Sequence, residues 1–585
     1  MQSISFQQIR DNIIGEHTQI ETPFGTKPLV YADYTASGRS LRFIEDFIQY
    51  KVLPFYANTH SESSFTGRQS TVLREQARQM VRQGLRADDS YQVIFTGSGA
   101  TAAINKLIAM LNLALPAQLD SEYGFQQQIA EQDRPVVFIG PYEHHSNELP
   151  WRESIATLVR IPLTRQGQLD LQVLEQKLQQ YQNRSLKIGS FSAASNVTGI
   201  KTDILAVTEL LHSYQALSFW DYAAAGPYVG IDLQTSQADA LFISPHKYIG
   251  GPGTPGLLVV HNRVINNSVP AVPGGGTVVY VTPEDHQYVA DAERREEGGT
   301  PAIVESIRAG LVFQLQQQVG TDVIEHNEHR LIQNLLWRWA DQPNIQVLGN
   351  TEVERLSICS FQVLHRDQQG QSKPLHYGFI VALLNDLFGI QARGGCSCAG
   401  PYGHELLGLD MATSKALEQQ ILSGNGVLRP GWVRINLNYF IDEPTADYLA
   451  SAIELVAEHG WRLLPYYRFG AQQGVWRYQG QQTELPVDLT DAQSWLLGED
   501  DGLREGSIPS ESNMPGESNK LHESSKWGAG NQATAVDYSE LLAQGEARLT
   551  QPRGEMTYSL ELSDVAKELC WFALPQEMDF RNECF

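Results

Sequence analysis

The sequence predicts an α/β fold built on a mostly parallel sheet, with a smaller α+β domain beside it. Short apolar runs, VVFIG at 136–140 and SLKIGSFS at 185–192, alternate with amphipathic stretches such as LDLQVLEQKLQQY at 169–181. Alternation of this kind implies parallel strands joined by helices, with active residues at the strands' carboxyl ends. Polar residues capable of chemistry do fall just after such runs. At 585 residues the chain is too long for one compact core, so two domains and additional segments are expected.

In chain order, residues 1–45 read as a segment joining the small domain, 46–300 as the large domain and 301–465 as the small one. A connecting helix near 302–318 enters the small domain, which holds a strand-like LSICSFQVL at 356–364 and a helical HYGFIVALLNDLFG at 376–389. YYRFGAQQGVWRYQG at 466–480 reads as an aromatic hairpin about Gly474, opening an extension that runs to 497. Residues 498–536 turn to Asp, Glu, Ser, Gly and Pro, a composition that predicts a disordered linker. Helical spacing returns over 537–575, within a C-terminal accessory segment ending at 585.

A net charge of −24 argues against general affinity for nucleic acid or anionic membranes. Five cysteines, Cys359, Cys396, Cys398, Cys570 and Cys584, form an odd and sparse set that suits a reducing compartment rather than a disulfide framework. Charged and polar residues run through the first two dozen positions, so no signal peptide is expected, and no run of 18 apolar residues occurs. Cytoplasmic residence is the expectation.

The segment SPHKYIGGPGTPG at 244–256 places Lys247 after an apolar run, beside a glycine- and proline-rich turn. A lysine held there can form a Schiff base with an aldehyde, since burial favours its neutral amine. A solvated surface lysine is the bland alternative. Upstream, LSFWDYAAAG delivers Asp221 at the end of another apolar run. A buried carboxylate followed by such a lysine is a pyridoxal phosphate signature, because the coenzyme's pyridine nitrogen must stay protonated to accept electrons. Asp221 could equally cap the next turn.

A phosphate needs a cradle. VIFTGSGATAAINKLIAML at 93–111 offers a strand, a small-residue turn and a helix whose first N–H groups can receive a dianion, with Gly99, Ala100 and Thr101 as contacts. The spacing is not that of a nucleotide P-loop, and plain helix entry is the alternative. His144 in FIGPYEHHSNELPW is placed to stack on a pyridine ring, and Asn196 in GSFSAASNVTG to bond a phenolic oxygen. Both stretches also make sense as turns.

With these motifs in order, the chain resembles the class V aminotransferase family over roughly residues 25–460, and within it the cysteine desulfurase and selenocysteine lyase branch. YADYTASG at 31–38, YANTHSESSFTGR at 56–68, PGGGTV at 273–278, EGGTP at 297–301, ARGGCSCAGP at 392–401 and RINLNYF at 434–440 complete the likeness. The resemblance implies a pyridoxal 5'-phosphate enzyme of fold type I, acting as a homodimer. It makes Lys247 the Schiff-base lysine and proton shuttle, Asp221 the pyridinium partner, His144 the stacking imidazole and Asn196 a ligand of the coenzyme oxygen. Thr101, Ser244 and His246 would hold the phosphate, with Thr300 reaching in from a neighbouring subunit. Arg434 would clamp the substrate carboxylate and Arg393 would shape the same pocket.

Cys398 aligns with the cysteine that carries sulfur as a persulfide in the desulfurases. The loop here is Gly-Cys-x-Cys, similar to that of molybdenum cofactor sulfurases, where many desulfurases have a single cysteine. Cys396 and Cys398 could instead be inert thiols, a redox pair, or half a zinc site, although only His404 lies near as a further ligand. Ala224 stands where the family commonly has a glutamine. The expected activity is transfer of sulfur from L-cysteine to Cys398 with release of alanine, and onward to a sulfur-acceptor protein. The alternatives are transamination, epimerisation or selenocysteine cleavage without the thiol, or a scaffold without catalysis.

Overall fold

The computed structural model describes residues 4–578 apart from 60, 367–369, 481–488, 490–535 and 553–557. Nearly all of the linker expected over 498–536 therefore lies outside the described residues, as does Cys584.

Seven strands form the large sheet: β1 (Tyr91–Thr96), β2 (Val136–Ile139), β3 (Thr157–Arg160), β4 (Lys187–Ser192), β5 (Leu217–Asp221), β6 (Ala240–Ile243) and β7 (Gly256–His261). Their order is β1-β7-β6-β5-β4-β2-β3. Only β7 runs antiparallel to its neighbours, so the sheet is mostly parallel as the alternation predicts. Strands β2, β4 and β6 are buried along their whole length, which explains their unbroken apolar runs: helices cover both faces. Successive residues serve opposite cores. Val93, Phe138, Trp220 and Leu241 pack on one face, and Ile94, Val137, Phe219 and Phe242 on the other.

Helix α1 (Phe65–Gly84) covers the first face together with the connecting helix α2 (Ile303–Val319), through Val81, Val312 and Phe313. The connecting helix thus packs on the large-domain core, and the small domain's own helices begin at Thr321.

Five strands form the small antiparallel sheet: β8 (Ile345–Val347), β9 (Ile358–Arg366), β10 (Arg393–Gly395) and β11 (Trp432–Asn436) in the order β8-β9-β11-β10, with the short strand Ser372–Pro374 paired to the end of β9. Helices α3 (Thr321–Trp339), α4 (Tyr377–Phe388) and α5 (Glu443–His459) share its core, with Phe361, Leu383, Val433 and Ile453 fully buried. The first 45 residues serve both cores. Ile9, Ile13 and Leu41 pack with the large domain, whereas Val30–Tyr31 pairs in parallel with Ile390–Gln391 of the small one.

The hairpin forms as read, Tyr467–Gly470 against Val475–Tyr478. The accessory segment is structural. Helix α6 (Tyr538–Thr550) packs on α5, where Tyr448 and Tyr538 stack at 4.3 Å. The second helix is shorter than its spacing predicts, Asp564–Glu568, because the chain leaves it to carry Trp571 and Phe572 into the small-domain core.

Candidate active site

The carboxyl ends of β1, β2, β4, β5 and β6 open onto one cleft of about 280 Å³, closed on its far side by β10 and β11. It gathers Gly99, Ala100, Thr101, His144, Asn196, Asp221, Ser244, His246, Lys247, Arg393, Cys398 and Arg434. Thr300 is not among the lining residues. Its hydroxyl lies 3.4 Å from the Asn58 amide nitrogen instead.

Asp221 is the last residue of β5 and is buried. Burial raises its carboxyl's pKa, opposed by the Ala223 N–H it accepts at 2.8 Å and by Lys247. Lys247 sits in a single 3-10 turn, Pro245–Lys247, directly after β6. Burial lowers its amine to about 8, against the pull of Asp221, and the cations Arg434 and Arg393 lower it further.

A small-residue turn leads from β1 into the helix Gly99–Met110. Gly99 has φ +58°, and a Cβ there would stand 2.7 Å from Ser244 Oγ and 2.9 Å from His246 Cε1. Only glycine leaves that space open. The Ala100 N–H donates to Ser244 Oγ at 2.9 Å, and the Thr101 and Ser146 hydroxyls share a 2.6 Å hydrogen bond. Ser146, which sequence reasoning passed over, also donates its N–H to His144 Nδ1 at 3.1 Å. That leaves Nε2 as the protonated nitrogen of a neutral ring, and burial, then Lys247, holds the His144 pKa down to about 3. His246 is likewise lowered to about 4, by burial and by Lys247.

Glu143 is a further residue missed from sequence. Buried between strand ends, it accepts the Ser192 N–H at 3.0 Å, the Ser192 hydroxyl at 2.6 Å and the Asn147 amide at 2.7 Å. It thereby ties the loop carrying His144 to the end of β4. Burial pushes its pKa up to about 7, although those hydrogen bonds favour the carboxylate.

On the small-domain side, Arg393 and Arg434 are cross-strand partners of β10 and β11. Asp33, inside the YADYTASG motif, accepts from Arg393 Nε at 2.8 Å and from Arg434 Nη2 at 3.1 Å. Arg434 Nη1 donates to the Asn196 carbonyl at 2.9 Å, and the Asn196 side chain donates to the Ser397 carbonyl at 2.8 Å. Cys398 is exposed and Cys396 half-buried. His404 meets Ser414 Oγ at 3.2 Å, and no cluster of metal-ligating side chains occurs among the described residues.

Four buried polar atoms around this cleft have no hydrogen-bond partner: Thr35 Oγ1, Asn196 Oδ1, Ser397 Oγ and Arg434 Nε. Orphaned polar groups are costly and point to a polar ligand. A family model described as aminotransferase class-V matches residues 30–419, well over half of the chain. The chain belongs to the aminotransferase class-V family. Class-V enzymes depend on pyridoxal 5'-phosphate.

The residues present fit that coenzyme. The Gly99 cradle at a helix N-terminus suits its phosphate, Asp221 its ring nitrogen and Lys247 its aldehyde. Among relatives of this class-V chain are probable cysteine desulfurases of Halalkalibacterium halodurans and Streptomyces coelicolor. Each is 28% identical over 378 residues, covering 64% of this chain and 85% and 84% of the respective relative. The solved cysteine desulfurase of Thermococcus onnurineus NA1 superposes with a TM-score of 0.61 at 20% identity, covering 78% of this chain and 99% of its own. CsdA of Escherichia coli, also a cysteine desulfurase, gives 0.59 with the same identity and coverage. The class-V fold here is therefore fold type I of the pyridoxal phosphate enzymes. No helix among the described residues is long and apolar enough to cross a membrane.

Proposed function

We propose that this chain is a pyridoxal-phosphate-dependent cysteine desulfurase that moves sulfur from L-cysteine onto Cys398 and releases alanine. The observation that carries the proposal is an exposed thiol, Cys398, lining the same cleft as Lys247 and Asp221. The bound coenzyme supplies an electron sink for the substrate's α-carbanion.

The protein's own groups do the rest. Arg434 and Arg393 take the substrate carboxylate, a task suited to guanidinium forks. Lys247, with its amine lowered to about 8, is available as the base that removes the α-proton at Nζ and returns one. Asp221 holds negative charge where the coenzyme's ring nitrogen must stay protonated. Cys398 Sγ, as thiolate, bonds to the substrate sulfur while the Cβ–sulfur bond breaks. The bonding pair passes to Cβ, which a proton then completes as the methyl of alanine.

The same proposal takes in a second copy of the chain, since Thr300 stands outside its own cleft, as a residue lent to a neighbour's phosphate site would. It also takes in a sulfur-acceptor protein for the persulfide, and residence in the cytoplasm. Ala224 lines the cleft without the amide that the family's usual glutamine would bring. Asn196 keeps one amide N–H for the coenzyme oxygen after donating the other to Ser397.

The test is turnover of L-cysteine by the coenzyme-loaded protein with dithiothreitol as the reductant that returns the Cys398 persulfide to thiol and releases its outer sulfur as sulfide, alanine and sulfide being followed together. Both products should form, and both should vanish in Cys398→Ser and in Lys247→Ala. Alanine formation undiminished in Cys398→Ser would reject the thiol's role and turn the reading to transamination or selenocysteine cleavage, which keep Lys247 and Asp221.

A further inference from the structure

The class-V match stops at residue 419, yet the chain beyond it reaches back beneath the thiol loop. Trp571 lies in the extended stretch after the helix Asp564–Glu568. Its indole stacks on Tyr377, with centroids 6.2 Å and planes 12° apart, and on His376 at 5.6 Å and 28°. The indole N–H donates to the Leu428 carbonyl at 3.0 Å. Next to it, Phe572 is wholly buried and meets His376 edge-on at 4.9 Å, while the Ala573 N–H donates to the Pro374 carbonyl at 2.9 Å. The segment is held by rings, by the indole N–H and by backbone.

Tyr377 carries this support upward. Its ring lies against two glycines, Gly394 in β10 and Gly431 just before β11, where an added Cβ would come within 2.8 Å and 2.7 Å of ring carbons. Strand β10 ends at Gly395, and Cys396, Ser397 and Cys398 follow at once. Ser397 and Cys398 both adopt left-handed backbone, φ 54° and 55°. Consecutive residues with a Cβ rarely do so, and such a conformation persists only where the surroundings impose it.

One side of that surrounding belongs to the large domain. The His145 N–H donates to the Cys398 carbonyl at 2.8 Å, and the His145 ring accepts the Gly400 N–H at 3.0 Å. On the other side, the strand that leads into the loop rests at Gly394 on Tyr377, which is backed by Trp571. The hydrogen bond of Trp571 to Leu428 holds the turn that runs through residues 429–431 into β11 and Arg434.

We infer that the C-terminal segment centred on Trp571 is a positioning element for the thiol loop, acting through Tyr377 to hold Cys396 in place and Ser397 and Cys398 in their left-handed conformation. The inference rests on the desulfurase reading only for the task it gives Cys398; the mechanical link stands apart from it. Trp571 touches no reacting group and is a positioning residue.

The test uses the full-length, coenzyme-loaded protein and reads iodoacetamide labelling of individual cysteines by peptide mass spectrometry. Cys570, half-buried beside Trp571, reports release of the segment, and Cys396 reports release of the loop. In Trp571→Ala, labelling of both should rise, Cys396 by roughly tenfold for one lost ring stack and one lost hydrogen bond. Alanine formation should lose a similar factor in kcat, while the coenzyme's visible absorbance is kept. Trp571→Phe, which retains a ring against Tyr377, should recover most of the loss. Trp571→Leu keeps apolar bulk without a ring plane and replaces the alanine variant if that variant does not fold. A folded variant in which Cys570 labels faster while Cys396 labels at the native rate overturns the inference. If the native protein forms no alanine, the desulfurase reading fails, and the labelling pair still decides the link.

Discussion

Asp33 stands between Arg393 and Arg434, giving one carboxylate oxygen to each guanidinium, at 2.8 Å and 3.1 Å. The arginines are direct cross-strand partners, so without Asp33 two like charges would face one another. One carboxylate against two guanidinium groups leaves a single positive charge beside the cleft. Burial lowers the pKa of Arg434, against Asp33, which favours its charged form, and its Nε has no partner. A substrate carboxylate arriving there balances the charge and occupies an orphaned donor.

Replacing Arg434 with lysine keeps the charge but loses the fork. On the desulfurase reading, kcat/KM for L-cysteine should fall roughly 10- to 100-fold, mostly through KM, as expected for hydrogen bonds to a charged group. Asp33→Asn should raise KM less, because both arginines remain. Steady-state alanine formation over a range of cysteine concentrations separates the two effects, and equal KM values in all three proteins would remove Arg434 from substrate binding.

Uptake of the coenzyme should depend on pH through Lys247. Its pKa is lowered to about 8, so below that value the amine is protonated and cannot attack the aldehyde. The rate at which coenzyme-free protein gains visible absorbance should therefore climb between pH 7 and pH 9 and level off above. Asp221 opposes the lowering, so Asp221→Asn should move the midpoint to lower pH. A midpoint near the ordinary lysine value of about 10.4 would contradict the buried environment.

Much of this site is legible in the sequence because each element announces its own chemistry. Apolar runs ending in Asp221, or leading into His246 and Lys247, mark strand ends, and the Gly99 turn marks a helix entry; the fold then has only to bring strand ends together. Asp33 was less visible. It sits in the YADYTASG stretch, but its role arises from two strands 360 and 401 residues away in sequence. Glu143 and Ser146 adjoin His144, yet nothing local distinguishes a buried strand-end tie from a turn residue. The C-terminal aromatics read only as helical spacing, because what fixes Trp571 is a ring stack against a distant helix start.

Gly99→Ala tests the phosphate cradle. Alanine at φ +58° is strained by about 1–2 kcal/mol, and its methyl would meet Ser244 Oγ at 2.7 Å. The strained turn relaxes by moving its N–H groups off the phosphate position, and binding must restore it, so coenzyme affinity should drop by about tenfold. Titration of coenzyme-free protein by absorbance gives the affinity directly. An unchanged dissociation constant would place the phosphate elsewhere.

Glu297 should govern acid stability. Arg78 grips it with two bonds, at 2.9 Å and 3.0 Å, Arg74 adds a third, and the Phe95 N–H of β1 donates to it at 2.7 Å. Burial opposes its charge, but Arg78 and then Arg74 outweigh burial and hold its pKa below the usual carboxylate value. A carboxyl lowered on folding stabilises the protein above its unfolded pKa, near 4.5, and that contribution fades as pH falls through the lower folded value. Glu297→Gln removes the carboxylate that Arg74 and Arg78 share, leaving Arg78 with Glu75 and Glu293 and Arg74 with Glu75, and should cost about 1.5–3 kcal/mol at pH 7. Thermal melting of both proteins should show that gap narrowing as the pH drops below 4.5; a gap independent of pH would mean that the carboxylate's charge is not what stabilises the fold. Glu297 also opens the EGGTP segment, so the same substitution loosens Thr300, and if Thr300 serves a second copy, coenzyme affinity should fall together with stability.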